Sequence, residues 1–162
     1  MDGLGQIAVA QFRRMTVQVA TPTRTVIVLD RALPKGLAAN AAAVVSLTLG
    51  AQQPALVGAN FTDAAGDHHA GLFPTGLPIL GAVTQELAEI RRAARERGLF
   101  VVDMPSFGHQ TNDYGEFRAS VAATQPDELV YLGVLISGPA KAVRAVTGQL
   151  GLLASGKAPA AV

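Results

Sequence analysis

Thr25-Val-Ile-Val-Leu-Asp30 leads through Arg31-Ala-Leu-Pro-Lys-Gly36 into Leu37-Ala-Ala-Asn40, and this succession decides the fold class. The five-residue run Thr25–Leu29, apolar from Val26 onward and ending at Asp30, fits a strand covered on both faces. Pro34 and Gly36 punctuate a turn. Leu37–Leu49 reads as an alanine-rich helix, and Gly50 is a natural stop. Apolar residues run almost all the way round that helix, so deep burial is expected.

The same alternation continues outward. Leu77–Leu80 is a short apolar strand, followed by Thr84 as the expected N-cap of a helix over Gln85–Arg97 that Gly98 closes. Leu87, Ile90 and Ala94 form its inner stripe. Glu86, Glu89, Arg92 and Arg95 form its solvated face. Leu99–Asp103 repeats the strand-then-aspartate pattern. A loop over Met104–Gln110 precedes a helix from about Asp113 to Ala123, capped by Thr111 or Asn112. Val130–Ile136 is the third strong strand. Ser137-Gly138-Pro139 then opens a last helix, with Pro139 at its favoured first position. Phe61–Asp63 and His68–Leu72 suggest a hairpin about Ala65-Gly66. Strands alternating with helices predict a three-layer α/β/α domain around a mixed, mostly parallel sheet.

At 162 residues the chain fits one domain. We expect an extension over residues 1–22, a single α/β domain over 23–153 and a disordered tail over 154–162. Met15–Val19 alternates as an edge strand would, and Met15 is an alternative start to Met1. The absence of cysteine excludes disulfides and thiolate chemistry. Thirteen basic residues face twelve acidic ones, without the basic excess that phosphate-gripping proteins carry. No apolar run is long enough to span a bilayer. Arg13 and Arg14 follow the early apolar run, the reverse of a signal peptide. A cytoplasmic protein with no membrane partner is expected.

In an open α/β sheet the ligand crevice lies beyond the carboxyl ends of the strands. Three segments are expected to meet there: Asp30–Gly36, Asp103–Thr111 and Ser137–Pro139. Lys35 at a helix mouth could hold an anion, or be an ordinary loop lysine. Asn40, one turn into an apolar helix, needs hydrogen-bond partners if buried, from a neighbouring backbone or a ligand. Asp103 and Asp30 are candidate bases, orienters of Lys35, or simple loop caps. His109 could move a proton near neutral pH, or be exposed. Gly36, Thr111 and Gly138 complete the expected ligand-binding set. Asp63, Asp67, His68 and His69 match no standard metal-ligand spacing, so neither a metal nor a cofactor is expected.

Val26-Ile-Val-Leu-Asp30 with Leu33-Pro-Lys-Gly-Leu-Ala-Ala-Asn40 resembles the opening of type II peptidyl-tRNA hydrolases. Leu132-Gly-Val-Leu-Ile-Ser-Gly-Pro139 and Val146-Thr-Gly-Gln-Leu150 resemble that family's closing strand and helix. Lys35–Asn40, Leu77–Leu80, Val101–Asp103 and Tyr131–Gly133 resemble the domain of unknown function 2000, which shares that hydrolase fold. The resemblance implies the peptidyl-tRNA hydrolase-like architecture and pairing of two copies. The chain departs from the hydrolases in three ways: one lysine, Lys35, in a shorter loop; Asn40 in place of glutamine; and a long insertion, Met104–Glu128, after Asp103.

The leading expectation is therefore a hydrolase or acyl-transfer site acting on a small or acylated substrate. Lys35 would hold negative charge and Asn40 would orient the substrate, while Asp103 and His109 managed the proton. The first alternative is a non-catalytic ligand-binding or regulatory protein. The second is true peptidyl-tRNA hydrolysis, which the near-neutral charge disfavours.

Overall fold

A computed structural model describes residues 23–153; the expected extension and tail lie outside them. Strand β1 (Thr23–Asp30) leads through a turn into helix α1 (Lys35–Gln52). Short strands β2 (Phe61–Thr62) and β3 (His68–His69) form the expected hairpin. Gly66 turns it at φ 92°, a conformation glycine adopts without the clash a side chain brings. Strand β4 (Ile79–Ala82), helix α2 (Thr84–Glu96) and strand β5 (Phe100–Pro105) follow. Helix α3 (Tyr114–Ala123), strand β6 (Tyr131–Pro139) and helix α4 (Ala140–Thr147) complete the order.

The main sheet has the order β4-β1-β6-β5. The structure confirms an α/β protein with a mixed sheet and corrects its directions. Of its three pairings, β1–β4 is parallel, while β6 runs antiparallel to both β1 and β5. The reason lies in the connection before β6. Pro105 pairs with Tyr131, so residues 106–130 leave and re-enter the sheet at the same edge. Helix α3 is therefore not a crossover, which a parallel pairing would have required. No residue of α3 is fully buried.

Alternation along the strands divides the core between the two faces. Ile27, Leu29, Leu132 and Leu135 face α1 and its Ala38, Ala41, Val45 and Leu49. Val26, Val28, Val134 and Ile136 face α2 and α4, meeting Leu87, Ile90, Ala94, Val143 and Val146. The inner stripe of α2 matches the sequence expectation residue for residue. Helix α1 does not match. Its buried positions form one stripe, and Val44 and Leu47 on the other side are 44% and 77% exposed. That side is left largely open, so the all-round apolar pattern does not mean all-round burial.

Two details fix the centre of the sheet. A side chain at Gly133 would place its Cβ 2.5 Å from Leu29 Cδ2, so only glycine lets β6 lie this close to the fully buried Leu29. Thr25 and Ser137 sit opposite each other, and their hydroxyls hydrogen-bond at 2.8 Å with 1% and 2% exposure. Thr25→Val strands the serine hydroxyl and is expected to cost about 1–3 kcal/mol, whereas Thr25→Val with Ser137→Ala removes both partners and should cost less than either single change. Urea unfolding of the three variants checks this; a double mutant as weak as the sum of the singles would contradict it.

Candidate functional site

The carboxyl ends of β1, β4 and β5 and the start of β6 share one edge of the sheet. Asp30 lies there, 8% exposed. One carboxylate oxygen accepts from Ala32 N at 2.9 Å, and the other accepts from the Thr84 hydroxyl at 2.5 Å. Thr84 was expected to cap α2. Instead its hydroxyl ties the first turn of α2 to the end of β1, and the Val83 N–H is met by Glu86 Oε2 at 3.0 Å. Both oxygens of Asp30 thus have protein partners.

Lys35 is the first residue of α1, at a helix mouth as expected, and is exposed. That N-terminus has no side-chain cap and no acidic residue in its first turn. Gly36 has open space around the position a Cβ would take. Asn40 is exposed, not buried. It lies one turn before Val44 on the same helical face.

Asp103 is separated from these residues by the sheet. It pairs with Val134 in register and shares its face, so its carboxylate points toward α2 and accepts a hydrogen bond from Arg91 Nε. The Arg91 guanidinium also lies 5.1 Å from the centre of the Tyr131 ring, a cation–π arrangement. Burial pushes the Tyr131 hydroxyl pKa up; the Arg91 charge opposes this and the Asp103 charge adds to it. Lys35 and Asn40 ride on α1, on the other face. A single crevice built from Lys35, Asn40 and the Asp103 carboxylate is not formed.

Gly138 is displaced further. It pairs with Arg24 near the start of β1, at the amino edge of the sheet. Strand β6 runs on through Ser137-Gly138-Pro139, so these residues do not reach the carboxyl edge. The convergence of three loops reduces to two, because β6 enters antiparallel. His109 ends a short 3-10 turn over Ser106–His109 and is exposed. The Thr111 hydroxyl donates to Glu116 Oε2 at 2.7 Å and accepts from Asp113 N at 3.0 Å. Asp113 is the N-cap of α3, its carboxylate accepting from Glu116 N at 2.8 Å; Thr111 and Asn112 were the expected caps.

What the edge does form is a groove of about 360 Å³ between the outer side of α1 and the β5–α3 segment. Val44 and Thr48 line one wall. Met104, Tyr114 and Phe117 line the other, with Thr111 and Asp113 at the rim. Tyr114 and Phe117 stack, their rings 5.6 Å apart. The groove follows β5, which pairs only with β6 among the described residues and so leaves one backbone edge open. Of the expected site residues the groove's lining includes Thr111 and Asp103, while sequence reasoning missed Val44, Thr48, Met104, Tyr114 and Phe117. A usable signal was present: two aromatics three apart on a helix, in a chain with six Phe and two Tyr.

At the hairpin, Asp63 accepts from Ala65 N at 2.8 Å and from Asp67 N at 3.0 Å. Backbone hydrogen bonding, first from Asp67, lowers its pKa. His69 lies 3.4 Å from the Asp63 carboxylate and stacks on Phe61 at 5.0 Å. Among the described residues no three His, Asp or Glu side chains converge as metal ligands would. No helix among them is long and apolar enough to cross a membrane.

Fold and site together define a small α/β protein with one mixed sheet and an apolar groove along its open edge strand. The chain belongs to the family described as Protein of unknown function (DUF2000), whose model matches residues 23–154. A solved structure of a protein of unknown function from Agrobacterium tumefaciens strain C58 is similar in fold. Its TM-score is 0.75 at 19% identity, covering 80% of this chain and 96% of that one. No curated protein matches the chain.

Proposed function

We propose that the protein is a non-catalytic ligand-binding protein, and that its ligand is a small, largely apolar molecule held in the groove between α1 and the β5–α3 segment. One observation carries this reading. The groove gathers apolar side chains with a few polar groups at the rim, the composition of small-molecule sites, while the residues suited to acid–base chemistry are spread over both faces of the sheet. The polar rim groups are already committed to capping α3, so the ligand would be recognised mainly by shape and apolar contact. The Met104–Glu128 insertion that distinguishes the chain from the hydrolases supplies one wall. Resemblance at the opening and closing segments supports a peptidyl-tRNA hydrolase-like architecture, here carrying a different activity.

The neutral dye Nile red tests this. Its fluorescence should report saturable binding that Val44→Glu weakens about tenfold and Lys35→Ala leaves unchanged. Hydrolysis of a p-nitrophenyl ester that persists unchanged in the Lys35→Ala and Asp103→Asn variants would be background and would not favour catalysis. Hydrolysis abolished by either variant, with the fold retained, would overturn the binding reading in favour of a hydrolase.

A further inference from the structure

The amino edge of the sheet, opposite the groove, holds a second cavity of about 600 Å³. Arg24, Leu77, Pro78, Ala140 and Arg144 line it. Arg24 pairs with Gly138 and lies two residues before Val26, so its side chain emerges on the α2–α4 face. Arg144 stands four residues after Ala140 on one side of α4, which brings both residues to the same cavity.

Three observations show a site with unmet positive character. The Arg24 Nε is shielded from solvent and has no hydrogen-bond partner among the described residues; a buried donor left this way is costly. The ion pairs among the described residues are His69–Asp63 and Arg91–Asp103, so neither Arg24 nor Arg144 has a carboxylate partner among them, and no acidic residue among them lines the cavity. Helix α4 also begins at Ala140 without a side-chain cap or an acidic residue in its first turn. Its free N–H groups add partial positive charge.

We propose that this cavity binds the phosphate group of a small phosphomonoester. Two guanidinium forks and a helix N-terminus offer more donors than one carboxylate can accept, and suit a dianion with three terminal oxygens. An anion held between the two arginines would offset their like charges, and a turn of the Arg24 guanidinium would bring its shielded Nε into the contact. Leu77 and Pro78 give the organic part of the ester an apolar flank. The site is separate from the groove, so its occupancy should not depend on the ligand held there.

Calorimetric titration of the full chain with phenyl phosphate, and with benzoate at matched ionic strength, tests the proposal. Saturable phenyl phosphate binding is expected, at least tenfold tighter than benzoate. Arg144→Gln should weaken it at least tenfold. Arg144 is exposed, so that variant should keep the thermal midpoint of the wild type and carries the test even if Arg24→Gln fails to fold. Arg24→Lys, which keeps the charge without the fork, should also bind more weakly. No saturable phenyl phosphate binding up to about 10 mM, equal affinity for benzoate, or an Arg144→Gln variant that binds as the wild type does would each overturn it.

Discussion

Leu135→Ala is expected to lower the free energy of unfolding by about 2–5 kcal/mol, the range for truncating a leucine in a packed core. Leu135 is fully buried at the middle of β6, where β1 and β5 flank it through Ile27 and Val102. Its side chain fills the layer under α1, among Leu29, Ala41, Val45 and Leu49. The residues of α1 that could move toward the gap are short. Ala38 and Ala41 already bring the helix backbone close to the sheet, and neither can reach further into the space. The cavity should therefore persist, placing the cost in the upper half of the range. Val130→Ala is the control: Val130 is 47% exposed just before β6 begins, and its truncation should cost below about 1 kcal/mol. Chemical denaturation of both variants is the measurement. A Leu135→Ala loss under about 1 kcal/mol would show that α1 collapses onto the sheet, and would refute the close-packed account of that layer.

The layer around Leu135 also shows what was legible in the sequence. Continuous apolar runs marked β1, β5 and β6, and the 3.6-residue spacing of Leu87, Ile90 and Ala94 marked the inner side of α2. These signals are local, and local burial produced them. Strand direction is not local. Nothing in Tyr131–Ile136 records whether the chain re-enters the sheet at the edge it left, so the apolar run alone suits a parallel β6 with Gly138 at the carboxyl edge, whereas Gly138 pairs with Arg24 at the amino edge. The direction of Asp103 was legible in principle. Alternation places it on the face of Val101, not Val102, and hence toward Arg91. For Asn40 the obstacle was composition. Alanine and valine around the whole of α1 fit either a buried helix or one with an exposed apolar side, and only the neighbours distinguish them.

Asp30→Ala is expected to cost about 3 kcal/mol of stability, from the loss of two hydrogen bonds to a carboxylate worth about 1.5–3 kcal/mol each, partly recovered by water. The Asp30 carboxylate holds together three pieces of chain that are distant in sequence or turn sharply. Its Oδ1 receives the Ala32 N–H and shapes the exit from β1. Its Oδ2 receives the Thr84 hydroxyl and secures the start of α2. A negative charge beside the first turn of α2 is also favoured by the helix dipole. Asp30→Asn keeps the acceptor facing Ala32 but loses the charge, and should cost about half as much. Thr84→Val removes only the second bond, and about 1–1.5 kcal/mol is expected. The sequence alone suited Asp30 equally to a ligand-binding role, and the two roles differ in their consequences. A structural carboxylate makes Asp30→Asn and Thr84→Val destabilise together, with less than additive loss in the double mutant, because both disrupt one contact. A carboxylate reserved for a ligand would leave stability almost unchanged in Asp30→Asn. Denaturant midpoints for the two single variants and the double mutant separate these outcomes, and additive losses would show that the Thr84 bond does not tie α2 to the end of β1.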